Sequence, residues 1–309
     1  MKTSVIRKRQ LHSGTWDKSV RCQGVPHGGD EQNALLNTCS LDQFLNGLHQ
    51  ICRSLPFRNL LQALAKELPS VYGNLWNAIK LCSDGLFSDA KLKLVPNVHD
   101  MRSREGPRVM PLIKNQLPYR ITKTCTTCKR CSESAHIPDI ILSEFSRSTG
   151  FQGALTPFFA PPDLQCSQPG CDGQTKIELK FENDYPPLII AADLQDLHKR
   201  IPNSHLSKVV DLFGQRYMPF LLTIAKHPAK LENGSGIPGH YMSYVFMPAD
   251  SGQFDEEGKP VGNWYRFLNN ENGDLEPWSF DQDDPDETFP SFIYFIWIPP
   301  SKFRVDTSG

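Results

Sequence analysis

The chain has 309 residues, 39% hydrophobic and 22% charged, with 33 Lys and Arg against 34 Asp and Glu for a formal net charge of −1. This is the composition of a soluble globular chain long enough for one large domain or two small ones. The near-neutral balance argues against a nucleic-acid or membrane-surface binder, which carries an excess of basic residues. The longest apolar runs, 292–298 and 218–225, fall far short of the ~18–20 residues a membrane helix requires. The basic N-terminus has no apolar stretch behind it and does not read as a secretory signal. Of the nine cysteines, Cys125, Cys128, Cys131, Cys166 and Cys171 cluster. In a protein expected inside the cell, in cytoplasm or nucleus, that clustering points to metal or catalysis rather than disulfides.

Residues 1–30 mix charge, Gly, His and Ser without periodicity and read as a flexible tail. Leu41, Phe44, Leu45, Leu48 and Ile51 then fall on one stripe at helical period. Ser40 and Asp42 supply the polar and acidic residues favoured at a helix start. Cys39 therefore lies at or just before the first turn, where free amide N–H groups and the macrodipole favour an anion. On the helix alone, a half-buried structural cysteine explains Cys39 equally well. Pro56 suits the opening of a second helix, followed by Phe57–Leu68 and then a third over Tyr72–Leu86, so that 40–95 reads as helical. From about Tyr119 the pattern changes to short apolar or alternating runs between Pro, Gly and Asn turns. The strand candidates are Arg120–Thr124, Lys176–Phe181, Leu188–Ala192, Met218–Ala225, His240–Met247, Trp264–Leu268 and Ser291–Ile298. A helical first third and a strand-rich remainder predict an α+β fold.

Two groups of residues carry chemistry. Cys125-x-x-Cys128 and Cys166-x4-Cys171 are cysteine pairs separated by enough chain for a β-ribbon, with Cys131 as an alternative partner for Cys128. Four thiolates from two such knuckles make a closed tetrahedral zinc site, structural because no coordination position is left open. A ribbon that has lost its metal is the plain alternative. His240 follows Gly239 at the start of an apolar-aromatic strand, and Trp264-Tyr-Arg-Phe267 is followed by Leu268, Asn269 and Asn270. A polar side chain at the end of a neighbouring strand can hold one imidazole nitrogen while the other faces Cys39.

These fragments together resemble the ubiquitin-specific proteases, the papain-like deubiquitinases, over most of residues 31–300. The cysteine box is Asn37-Thr-Cys39-Ser-Leu-Asp42, and the zinc ribbon of the family's fingers is Arg120 to Cys128 with Cys166 and Cys171. Pro186 to Ala192 matches the core strand after the ribbon. The histidine box is Gly239-His-Tyr-Met-Ser-Tyr-Val245, then Trp264 to Phe267, and the closing strand is Ser291 to Trp297. The resemblance implies a papain-like cysteine protease fold with helical thumb, β-rich palm and zinc-ribbon fingers. It implies a single catalytic domain over 31–309 with the ribbon inserted at about 120–180. The family places an oxyanion-hole Asn five residues before the Cys, where this chain has Ala34 with Asn33 beside it. It carries Asp or Asn directly after Trp-x-x-Phe, where this chain has Leu268, so a one-residue shift makes Asn269 the third triad member, with Asn270 or Asp274 behind it. Asp42 replaces the family's Asn. These departures mark a divergent relative, near the SUMO-directed or transposon-associated branch.

The expected activity is a thiol isopeptidase that removes ubiquitin or a ubiquitin-like modifier such as SUMO. Cys39 is the nucleophile, His240 the general base, Asn269 the orienting residue, Asn33 an oxyanion donor and Zn²⁺ structural. A catalytically inactive modifier-binding scaffold of the same fold is the alternative, favoured by Ala34 and Leu268 and opposed by intact Cys39 and His240. A zinc-ribbon nucleic-acid binder is a weak third reading, because Lys123, Lys129 and Arg130 make only a small patch. The acidic stretches at 255–257 and 281–287 read as solvated loops.

Overall fold

The structure is a computed structural model that describes residues 39–96, 119–136, 139–142, 144–159, 165–181, 185–194, 201–212, 214–226, 240–249, 253–256, 258–267, 275–279 and 290–304. The proposed tail over 1–30 and both acidic stretches, except Asp255 and Glu256, lie outside them.

Four helices come first: α1 (Cys39–Ile51), α2 (Leu55–Glu67), α3 (Pro69–Ser83) and α4 (Phe87–Leu94). The predicted α1 stripe is buried throughout, from Leu41 to Ile51. Proline stands in the first turn of both α2 and α3, where its missing N–H costs nothing. The helix predicted over Tyr72–Leu86 is α3, which ends at Ser83; Gly85 takes φ +77°, and α4 starts at Phe87 as a separate helix. Glycine adopts that left-handed conformation without steric cost.

The remainder is strand-rich, as an α+β fold requires. A sheet of eight strands runs in the order β10 (Leu275–Trp278), β9 (Gly262–Phe267), β8 (His240–Pro248), β7 (Gln215–Lys226), β11 (Pro290–Trp297), β5 (Ile189–Asp193) and β3 (Asp139–Ile141), with β6 (Val210–Leu212) also on β7. Its pairs are antiparallel except β3 with β5. A separate sheet of three strands, β2 (Cys131–His136), β1 (Tyr119–Cys125) and β4 (Thr175–Phe181), forms the ribbon. Helical part, large sheet and ribbon are the divisions expected of the papain-like layout.

Local chemistry explains several details. β11 lies between β5 and β7, and its residues Phe292 to Trp297 are all buried. It therefore reads as an unbroken apolar run instead of an alternating one. Pro219 lies inside β7 where the register against β11 shifts between Tyr294 and Phe295, a place where a missing donor is tolerated. Pro277 lies in the outer strand β10. The two short strands β3 and β6 and the outer strand β10 escaped sequence reading because three or four residues carry too little periodicity. β2 escaped for a different reason: Cys131-Ser-Glu-Ser-Ala-His136 has no apolar alternation, and its pairing with β1 alone makes it a strand. A further helix, α5 (Gly150–Phe159), was hidden by its two glycines and interior Pro157. Its place is fixed by Gln152, whose side-chain amide donates to the Asp211 carbonyl at 2.9 Å and accepts from the Asp211 N–H at 2.7 Å. The side chain thus pairs with β6 as a strand residue would. Among the described residues, the last helix before the C-terminal segment is the short α6 (Asn203–Leu206).

α1 packs on β7, β8 and α3. Its approach to β7 is close: a Cβ on Gly47 would meet three Leu221 side-chain carbons at 3.1 Å. The helix buries its polar residues as fully as its apolar ones, with Asp42, Gln43, Asn46, His49 and Gln50 all at 0% exposure. Burial, helped by the charges of Arg53 and Arg58, pulls the His49 imidazole down to about 3. Between that value and the unfolded ~6.5 the unfolded chain binds a proton that the folded chain refuses. Stability should therefore fall as pH drops through this window, by up to about 1.4 kcal/mol per pH unit. Urea unfolding of His49→Gln against the parent from pH 7 to about pH 4 should show a flatter decline in the variant.

Candidate active site and metal centre

Cys39 is the first residue of α1, as the capping pattern required, and His240 is the first residue of β8, opposite Lys226 of β7. Asn33, Ala34, Asn269, Asn270 and Asp274 lie outside the described residues. A side-chain hydrogen bond joins the two elements beside these positions. Ser243, three residues into β8 from His240, donates its hydroxyl proton to the side-chain carbonyl of Gln43, one helical turn beyond Cys39. Both residues are buried, so the bond fixes the helix against the strand where solvent does not compete.

A charge pair sits in the same first turn. Lys91 of α4 places its Nζ 2.5 Å from Asp42 Oδ1, with the two side chains 2% and 0% exposed. Cys82 on α3 is near enough for both charges to act on its thiol, which burial pushes up to about 12. Cys52, just past α1, is also pushed up to about 12 by burial. Both are neutral, inert thiols at physiological pH. Sequence reading noted Asp42 as a departure from the family and missed Lys91, Gln43 and Ser243. The sequence offered no signal for them: Asp42, Gln43, Asn46, His49 and Gln50 fall at i, i+1, i+4, i+7 and i+8 on one face of α1, the ordinary pattern of a solvated side, and the fold buries that face.

The cysteine cluster forms as the spacing predicted. Cys125, Cys128, Cys166 and Cys171 bring their sulfurs within 4.8 Å of one another. Cys125 Sγ lies 3.6 Å from Cys171 Sγ and Cys128 Sγ lies 3.7 Å from Cys166 Sγ. A tetrahedron with metal–sulfur bonds of about 2.3 Å has edges of about 3.8 Å, so these separations fit four thiolates around one ion. Cys131, the alternative partner, opens β2 opposite Thr124. The first knuckle turns through Lys129 at φ +58° and the second through Gly170 at φ +76°. The Thr127 and Cys128 amides each donate to Cys125 Sγ at 3.4 Å. The Cys125 thiol is drawn down to about 6, chiefly by the Cys128 amide, with the Thr127 amide and the neighbouring thiols assisting. Gly173 closes over this knuckle, where a Cβ would lie 2.4 Å from Thr127 Oγ1 and 2.8 Å from Cys125 Sγ. Four closely set sulfurs held by backbone donors can bind a thiophilic metal, with no coordination position left for a reacting water.

No protein-family model matches the chain, and no curated protein matches it in sequence. Among solved structures it is similar to the Saccharomyces cerevisiae PAN2 pseudoubiquitin-hydrolase, at 10% identity over 88% of this chain and 87% of that one, with a TM-score of 0.44. It is also similar to the SAGA DUB module Ubp8/Sgf11/Sus1/Sgf73 bound to monoubiquitin, at 9% identity over 95% and 72% of the two chains, with a TM-score of 0.46. These likenesses are too distant to carry a functional reading, which rests on the chain's own residues.

Cobalt(II) titration tests the metal centre. The intact chain should give the absorption of tetrahedral thiolate-bound cobalt at one ion per chain, and Cys125→Ser should lose it. Gly173→Ala should weaken it, because the added methyl has no room beside Cys125 and Thr127.

Proposed function

We propose that this protein is a thiol isopeptidase that removes ubiquitin or a ubiquitin-like modifier from proteins, acting through Cys39 and His240. The observation that carries the reading is the buried Gln43–Ser243 contact, which ties the helix that Cys39 opens to the strand that His240 opens. The motif spacing supports the same pairing from the sequence side. We take residues 31–309 as one catalytic domain with the ribbon as its insertion, working in cytoplasm or nucleus, where thiols stay reduced.

In this reading His240 takes the Cys39 proton, and the thiolate attacks the carbonyl at the modifier's C-terminal glycine. Amide N–H groups at the start of α1, with the Asn33 side chain, receive the developing oxyanion. His240 then gives its proton to the leaving lysine amine, and water releases the modifier by the reverse sequence. Asn269 holds the imidazole in the productive orientation, with Asn270 or Asp274 the other candidates. Cys125, Cys128, Cys166 and Cys171 would hold a structural Zn²⁺, which keeps the ribbon folded and takes no part in the bond changes. Ala34 and Leu268 favour a second reading, a modifier-binding scaffold without turnover, since polar groups that the resembled family uses are missing there.

Covalent capture separates the two. Ubiquitin and SUMO bearing a C-terminal thiol-reactive group should form an adduct with the intact chain and none with Cys39→Ala, while His240→Ala should slow it. Asn33→Ala should lower kcat by about 10²–10³ if the amide is an oxyanion donor. A folded, metal-loaded chain that forms no adduct with either probe establishes the scaffold instead.

A further inference from the structure

Asp42 is three residues beyond Cys39 in α1, and residues three apart share one side of a helix. A bare carboxylate there works against a thiolate at position 39, since a nearby like charge raises a thiol's pKa. It also cancels part of the helix N-terminal field that favours an anion. Asp42 is not bare, because the Lys91 ammonium from α4 lies 2.5 Å from its carboxylate with both side chains buried. Such a pair adds little stability over apolar residues of similar volume, so stability alone gives a weak account of its presence.

Other titratable groups lie on the described elements that pack with α1. On α3 it faces Cys82, whose thiol is neutral, and α4 also carries Asp89 in its first turn. On the sheet, His240 of β8 and Lys226 of β7 are paired in register at the strand ends. Asp42 is thus the acidic group that α1 itself sets within one turn of Cys39.

We propose that Lys91 is a positioning residue that screens Asp42, so that the thiol at position 39 ionises near neutral pH while the carboxylate anchors the first turn of α1. The proposal rests on Cys39 being the nucleophile. A purely architectural pair would change stability when altered and leave the thiol's titration where it was.

The test follows iodoacetamide alkylation of Cys39 across about pH 5–9 in the full chain, with peptide mapping to assign the site. Lys91→Met should raise the titration midpoint by about one unit, a fall of about fivefold in rate at neutral pH. Asp42→Asn with Lys91→Met should return the midpoint to the parent's value. If Lys91→Met does not fold, Asp42→Asn alone carries the test, because the ammonium left behind should lower the midpoint. A folded Lys91→Met with the parent's midpoint, a double variant shifted as far as the single, or an Asp42→Asn midpoint that stays or rises overturns the proposal. The isopeptidase reading fails separately, when no modifier probe captures Cys39 although the midpoints keep this order.

Discussion

A helix with no solvated side organises the region around the candidate active site. From Leu41 to Cys52 every residue of α1 and its C-terminal edge is buried, with β7 and β8 on one side and α3 on another. Apolar burial drives the helix into that position, but it does not fix rotation or axial register, because leucine against leucine tolerates small slips. Polar contacts do, since each buried donor or acceptor that loses its partner costs about 1–3 kcal/mol. The Gln43–Ser243 bond and the Asp42–Lys91 pair therefore act as stops. Gly47 against Leu221 is a steric stop on the same helix. The residue that opens the helix inherits its position from all three.

The ribbon is organised on a different principle. Its inner face offers Ile121, with Ile177, Leu179 and Phe181 only partly buried, too little apolar surface to hold three strands by itself. What gathers it is short-range: two knuckles whose turns, amides and one glycine bring four sulfurs together. Core packing and sulfur clustering are thus separate sources of order within one chain.

The parts of the fold legible in the sequence were those with a period or a fixed spacing. The α1 stripe, the helices after Pro56, the long strands and the cysteine knuckles all follow from local pattern. Strands β3, β6 and β10 were too short to show one, and β2 was polar throughout, so each exists through its neighbour. α5 contradicted its own propensity, with two glycines and a proline, and is held by packing and by the Gln152 amide on Asp211. The placement of Cys39 at a helix start and of His240 at a strand start was legible because cap and strand-start signals are local. Lys91 was not, because nothing in Phe87–Leu94 announces that one of its lysines turns inward to meet a carboxylate from the first helix.

The two ends of the large sheet are finished differently. Among the described strands, β10 at one end carries Pro277 and β3 at the other is only three residues long. An outer strand lacking an amide donor, or too short to offer a ladder, is a poor template for a further strand. These two described edges therefore disfavour an extended peptide as one more strand of the large sheet. Reception by side chains instead uses contacts that are individually weak and readily broken. For a protein proposed to cut a tail and let it go, that difference favours release over capture.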